Sequence, residues 1–416
     1  MPGLSAPERE VLATLDDKRD AILARVEAWA SINSGSRNMA GLARMADALA
    51  EAFEPLGEVA LRDPAPVEAV DAQGVSQPVP HGRNLHVVRH GDAMTRVLLT
   101  GHMDTVFAAD HPFQSLTWLD ENRLNGPGTA DMKGGIAVML AALEAFAASP
   151  FARHLGWEIV INSDEEVSSP GSAPLLAEAA QRCEVGLTYE PALPDGTLAG
   201  ARKGSGNFSA VIRGRAAHAG REPEKGRNAV VAAADLALRL AVLARDGLSV
   251  NPAKIDGGGP NNIVPDLAVL RFNVRPSTLA DQRAAETAIA EAIHGVKTLH
   301  EVGVELHGGF ARPPKPMDEN QLRLFELVRD CGTDLGLPVG WRDTGGVCDG
   351  NNLAAHGLPV VDTLGVRGGS IHSADEFMLA DSLVERAKLS ALVLMRLAQG
   401  RLPSVPAAEA AGTGAS

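Results

Sequence analysis

The stretch 157-WEIVINSDEEVSSPGS-172 decides how this chain is read. Trp157 to Ile161 is an apolar, β-branched run of the kind that fills a buried strand. It then breaks into three consecutive acids, Asp164, Glu165 and Glu166, and acids at the mouth of a buried strand are costly unless something uses them. Two further short strands are predicted over Asn84 to Val88 and Val97 to Thr100, and another over Val185 to Thr188. Between them lie a helix in 133-KGGIAVMLAALEAFAAS-149, with Ile136, Met139, Leu140, Leu143 and Phe146 on one face, and a helix from Ala173 to Gln181. Strands alternating with helices predict an α/β fold with a mostly parallel sheet, and such sheets gather ligands beyond the carboxyl ends of their strands. The acid run sits at one such end.

Outward from this core, residues from Pro7 to about Ile32 and from Ala40 to Phe53 repeat apolar side chains at helical spacing. Near Gly200 the texture changes. A strand (Asn207 to Ile212), a long helix (Asn228 to Ala244), strands near Leu248 and over Leu267 to Val274, a helix (Leu279 to Ile293) and a strand (Val302 to Leu306) read as a compact α+β unit. The α/β pattern resumes with a helix from Glu319 to Leu335. The expected division is a first part of the main domain at 1–200, an insert at 201–311, a second part at 312–403, and a disordered tail at 404–416.

The 416 residues, 45% hydrophobic and 22% charged, suit a folded protein of two or three domains. A formal charge of −14 gives no electrostatic case for nucleic acid or an anionic membrane. The N-terminus lacks a basic segment followed by an apolar core, and no run approaches the ~18 apolar residues of a membrane span. Cys183, Cys331 and Cys348 are far apart, which suits a reducing compartment and argues against a thiolate metal site. The expected setting is cytoplasmic.

Five segments bring histidines and acids to strand ends or loops: 98-LLTGHMDTVF-107, 126-GPGTADMKGG-135, 161-INSDEEVSS-169, 187-LTYEPA-192 and 368-GGSIHSADEF-377. Together they supply His102, Asp104, Asp131, Glu165, Glu166, Glu190 and His372. Mixed imidazole and carboxylate donors without cysteine suit zinc, cobalt or manganese in a catalytic site. Two histidines and three carboxylates exceed the needs of one open zinc ion and fit two divalent ions if one carboxylate is shared.

This set resembles the M20 family of co-catalytic di-zinc peptidases and deacylases, and most of all its glutamate carboxypeptidase branch; the likeness runs along nearly the whole chain. The resemblance implies a zinc-hydrolase catalytic domain carrying an inserted lid or dimerisation domain. It implies that His102, Asp131 and Glu190 hold one metal and Asp131, Glu166 and His372 the other, with Asp104 bonded to His102. Adjacent residues at a strand end point in different directions, so Glu165 is free to act as the general base beside its ligand neighbour Glu166.

In the insert, 214-GRAAHAG-220, 260-PNNIVPD-266 and 271-RFNVRP-276 are similar to the family's lid. The resemblance assigns His218 to the developing oxyanion, often from a partner subunit, and Asn262 and Arg275 to a substrate carboxylate. Arg312, in 309-GFARPP-314, is a further carboxylate candidate, and Lys203 in 202-RKGSG-206 a weaker one. Cys348 stands where the family usually has a small hydroxyl residue. Glu190, rather than the Asp of aminopeptidase-like members, points to substrates with a free α-carboxylate. The expected activity is metal-dependent hydrolysis of an amide, releasing a C-terminal amino acid, glutamate among the candidates, from an N-acyl or peptidyl conjugate. The alternatives are an aminoacylase-type deacylase and a non-hydrolytic metal-binding scaffold. The apolar helix 229-AVVAAADLALRLAVLA-244, with the resemblance, implies a homodimer.

Overall fold

The computed structural model describes residues 3–91 and 93–401; the expected disordered tail lies outside the described residues. Its centre is a six-stranded sheet in the order Glu58–Arg62, Asn84–Arg89, Leu155–Asn162, Thr95–His102, Val185–Thr188, Val360–Val361. The strand of the opening stretch is buried at every position. Its alternation decides the layers, because successive side chains leave opposite faces of a sheet. Trp157, Ile159 and Ile161 join Val97, Leu99 and Leu187 in the larger core. Val160 and Leu98 face the other way, onto Leu175, Leu176 and Leu353.

On the larger side, the helix Gly135–Ala147 lies among the helices Arg19–Ala30 and Ser382–Ala398. It is buried almost all round, which explains why it carries a single charged residue, Glu144. The helical pattern between Pro7 and Ile32 resolves into two helices, Ala6–Ala13 and Arg19–Ala30, separated by a tight turn at Asp16–Lys18.

The expectation of a mostly parallel sheet is corrected. The three junctions around Thr95–His102 and Val185–Thr188 are parallel, but Glu58–Arg62 and Asn84–Arg89 pair antiparallel. Among the described residues antiparallel pairings predominate, since the insert sheet and the small sheet near His372 are antiparallel throughout. Helical crossovers enforce parallel pairing only among the strands they join; the edge strands return without one.

The insert forms a four-stranded sheet, Leu248–Gly257, Leu267–Pro276, Ser205–Arg213, Gly303–Arg312, with the helices Ala229–Ala241 and Leu279–His300 on one face. Phe208, Phe272, Leu236, Ile289 and Val296 make up part of its own core. No helix among the described residues is long and apolar enough to cross a membrane.

One buried charge in the central sheet is paid for locally. Glu158 is fully buried and accepts bonds from Arg182 Nε and Nη2, both at 2.8 Å, from His86 at 3.2 Å and from His90 at 3.0 Å. Burial opposes its charge, but the bonds from His86 and Arg182 prevail and hold its pKa down at about 2. A carboxyl depressed below its unfolded value contributes stability that is full above pH ~4.5 and is lost as the pH falls through the folded value. Glu158→Gln is therefore expected to lower unfolding free energy by about 2 kcal/mol at neutral pH. Urea unfolding at stepwise lower pH should show this difference shrinking below pH ~4.5; a constant difference would show that the charge is immaterial.

Candidate metal centre

Three parallel strands end side by side and each delivers a side chain to one place. His102 is the last residue of Thr95–His102, Glu165 and Glu166 open the turn just beyond Leu155–Asn162, and Glu190 follows Val185–Thr188 by two residues. Asp131 lies in the irregular turn Thr129–Gly134 that leads into the helix Gly135–Ala147. That turn needs its glycines. Gly128 has φ +72°, in the left-handed region, and a Cβ on Gly135 would stand 2.0 Å from the Tyr189 carbonyl oxygen. His372 arrives last, in the loop after Gly368–Gly369, and its side chain is half exposed.

Asp131 stands between the two imidazoles. Its Oδ1 lies 3.1 Å from His102 Nε2 and its Oδ2 lies 3.3 Å from His372 Nε2. Glu190 Oε2 is 3.9 Å from His102 Nε2, and Glu166 Oε2 is 3.2 Å from His372 Nε2. Two groups capable of holding a cation result, His102–Asp131–Glu190 and Asp131–Glu166–His372, each with donor atoms within 4.8 Å of one another. The donor chemistry fits divalent ions: every group offers oxygen or imidazole nitrogen, and one carboxylate belongs to both sets.

The electrostatics point the same way. Burial and the neighbouring acids hold Glu190 well above the usual carboxylate range. Burial and Asp131 push Glu166 up to about 8, and burial raises Glu165 to about 7 against the pull of Arg312. Asp131 is held low despite its burial by bonds to His102 and His372. Bonds to Asp131 and Glu166 carry His372 up to about 11. Crowded acids in a dry site hold protons for want of a stronger positive charge.

Asp104 ties the parts together. His102 Nδ1 lies 2.9 Å from the Asp104 carbonyl oxygen and 3.4 Å from its Oδ1, so both neighbours are acceptors and Nδ1 carries the proton. The Asp104 carboxylate accepts the backbone N–H of Glu165 at 3.1 Å and of Glu166 at 3.2 Å, and the Ser36 hydroxyl at 2.7 Å. One side chain thus steadies the histidine and the glutamate pair together.

A cleft of about 620 Å³ opens over these residues. Its lining also includes Arg202, Arg275, Arg312 and Arg342. Arg312 is buried, with Nη2 2.8 Å from both Glu165 Oε1 and the Glu165 carbonyl, and 3.0 Å from Ser169 Oγ. Arg275 donates to Asn273 Oδ1 at 3.0 Å and to the Gly345 carbonyl at 3.2 Å, neutral partners both. His218 and Asn262 lie elsewhere: they are exposed, joined through Ala219 N–H to the Asn262 carbonyl, and absent from the cleft wall of their own chain.

Sequence reasoning passed over Arg202, although it had singled out 202-RKGSG-206 and chosen Lys203. Arg202 is the buried, cleft-lining member, bonded through Nε to Asp362 at 2.7 Å. The signal was strand alternation, which turns neighbouring side chains to opposite faces. Arg342 gives no such signal. Cys348 is a buried thiol whose sulfur accepts the Gly350 N–H at the start of the helix Asp349–Ala355.

The model of peptidase family M20/M25/M40 matches residues 98–396, the span that carries every cluster residue. The chain belongs to this family. As an M20 protein it is a metal-dependent hydrolase of amide bonds. The M20 chain is 29% identical over 397 residues to carboxypeptidase G2 of Pseudomonas sp. (strain RS-16), covering 92% of this chain and 91% of that protein. It is 27% identical over 386 residues to succinyl-diaminopimelate desuccinylase of Verminephrobacter eiseniae, covering 86% and 94%. A tripeptidase structure from Staphylococcus aureus shares the M20 fold with a TM-score of 0.70 at 23% identity, over 92% of this chain and 99% of that one.

Because Asp131 belongs to both groups, Asp131→Ala is expected to strip divalent metal from the protein, whereas Glu190→Ala should spare the Asp131–Glu166–His372 group. Elemental analysis after dialysis checks this; metal retained in full by Asp131→Ala would rule out the shared position.

Proposed function

We propose that this chain is a co-catalytic di-metal carboxypeptidase, releasing a C-terminal amino acid, glutamate among the candidates, from an N-acyl or peptidyl conjugate. The observation that carries the reading is the mixed polarity of the cleft: acids and an imidazole share its lining with four arginines, and Arg275 among these is bonded to neutral acceptors. A substrate with an amide beside a free carboxylate matches that polarity, and Arg supplies the planar fork a carboxylate prefers. The likeness to carboxypeptidase G2 over nine-tenths of both chains supports it.

His102, Asp131 and Glu190 would hold one ion, and Asp131, Glu166 and His372 the other; zinc is the leading candidate, with cobalt and manganese as alternatives. Bound there, such ions supply Lewis acidity and make water a nucleophile at neutral pH. The chain does the rest. Arg275 orients the substrate carboxylate, and Arg312 flanks it while steadying the base: Nη2 is held by Glu165 whereas Nε has no hydrogen-bond partner among the described residues. Glu165 Oε takes a proton from the attacking water and returns it to the departing nitrogen, after which the amine leaves and the carboxylate product remains. His218 donates to the oxygen that gains negative charge, and Asn262 assists at the carboxylate.

His218 and Asn262 need a second copy to reach a cleft, and this is the basis for proposing a homodimer. The helix Ala229–Ala241 leaves Val231 51% and Leu238 70% exposed, with Val242 just beyond it at 81%. An apolar stripe of this kind is the core of a subunit contact. The insert thereby serves as both lid and dimerisation unit.

A second reading, an N-acyl-amino-acid deacylase, is favoured by the likeness to succinyl-diaminopimelate desuccinylase. Specificity constants on N-acetyl, N-benzoyl and dipeptidyl glutamates, with zinc, cobalt or manganese supplied separately, discriminate the two; no turnover of any amide would overturn both. Glu165→Gln is expected to keep its metal and lose about 10²–10⁴-fold in kcat, and near-normal turnover would remove Glu165 from the role of base. Arg275→Ala should raise KM about 10–100-fold for substrates with a free carboxylate and leave esterified analogues unaffected. Leu238→Asp should yield monomers by light scattering and lose turnover with the interface; a fully active monomer would count against assistance from a second subunit.

A further inference from the structure

Glu376 belongs to neither triplet, yet its carboxylate is aimed at the turn that carries Asp131. It is 1% exposed. Oε1 accepts the backbone N–H groups of Ala130 and Asp131, each at 3.0 Å, and Oε2 accepts that of Gly128 at 3.2 Å. Among the described residues it has no ion pair closer than 4.0 Å, so these backbone donors are what offset the cost of burying it.

Its own segment is anchored through its backbone to the strand that leads into that turn. Glu376 follows His372 by four positions, and the next strand, Phe377–Leu379, pairs with Arg123–Asn125. Asn125 Nδ2 donates to the Glu376 carbonyl at 2.7 Å and to that of Ala374 at 3.0 Å. The Glu376 side chain therefore couples the loop of His372 to the turn of Asp131, segments 245 residues apart in the chain.

We propose that Glu376 is a positioning residue of the di-metal centre: by gathering three N–H groups of the Gly128–Asp131 segment it sets Asp131 so that its two oxygens divide between His102 and His372. The assignment rests on the di-metal reading. Without Glu376 the N–H groups turn elsewhere and Asp131 loses its bridging attitude. The Asp131–Glu166–His372 set suffers most, because its histidine sits on the half-exposed loop that Glu376 also anchors. Glutamine at this position keeps one oxygen for Ala130 and Asp131 but presents an NH2 to the Gly128 N–H, and so sits between wild type and alanine.

The test is calorimetric titration of zinc into the chelator-stripped full-length chain, with the apo protein's thermal midpoint read alongside. Glu376→Ala is expected to weaken at least one of the two binding steps about 10–100-fold, the scale seen for groups that orient metal ligands. Glu376→Gln should weaken it less, with an apo midpoint close to wild type. A purely structural role would lower the midpoint and leave the isotherm unchanged. Should the alanine variant fail to fold, the glutamine variant decides alone: an isotherm matching wild type overturns the assignment. Wild-type protein that takes up no zinc overturns the di-metal reading and this role with it, whereas wild-type uptake with unaltered variants overturns only the role of Glu376.

Discussion

The site depends on one carboxylate facing two ways. Asp131 turns one oxygen to His102 and the other to His372, and no other side chain among the described residues touches both imidazoles. The rest of the fold is arranged to make that possible. Strand ends fix His102, Glu166 and Glu190; the glycine-bounded turn fixes Asp131; and the small antiparallel sheet brings His372 back from the end of the chain. Each partner is held from behind as well, His102 by Asp104 and the Asp131 turn by Glu376. Ligands without such support lose the geometry that makes a shared position useful.

Much of this was legible in the sequence, because buried strands and strand-end acids both leave a pattern. The run from Trp157 to Glu166 announces a strand and its acidic terminus, and the strands expected over Asn84 to Val88 and Val97 to Thr100 fall within Asn84–Arg89 and Thr95–His102. The antiparallel edge could not be read. Glu58–Arg62 is half exposed with no clean alternation, so nothing in it advertises a strand or its direction. The final helix Ser382–Ala398 went unremarked although it packs against the helix Gly135–Ala147. Glu376 was in plain view beside His372, but its role is to accept backbone N–H groups, and backbone donors have no sequence signature. His218 and Asn262 mark a different limit. A motif places residues along a chain, and the fold of this one leaves both exposed and outside the cleft.

The cleft also shows how a protein of net charge −14 can gather cations locally. Local arrangement outweighs the total. Arg202 and Lys315 share Asp362 in the buried floor, both through Oδ2, so two cations face one acid there. Arg312 is engaged by Glu165 and Asp349, and Arg275 by neutral acceptors.

The order of the candidate ligands along the chain has a consequence for biosynthesis. His102, Asp131 and Glu190 all leave the ribosome before the insert strand Ser205–Arg213 begins, whereas the other triplet waits for His372, beyond the insert and the helix Glu319–Leu335. A nascent chain therefore owns one complete cation-binding group while the insert is still being made, and acquires the second only near its end. Because the helix Ser382–Ala398 comes later still, a premature stop just past His372 would spell out every candidate ligand yet lack the helix that backs Gly135–Ala147.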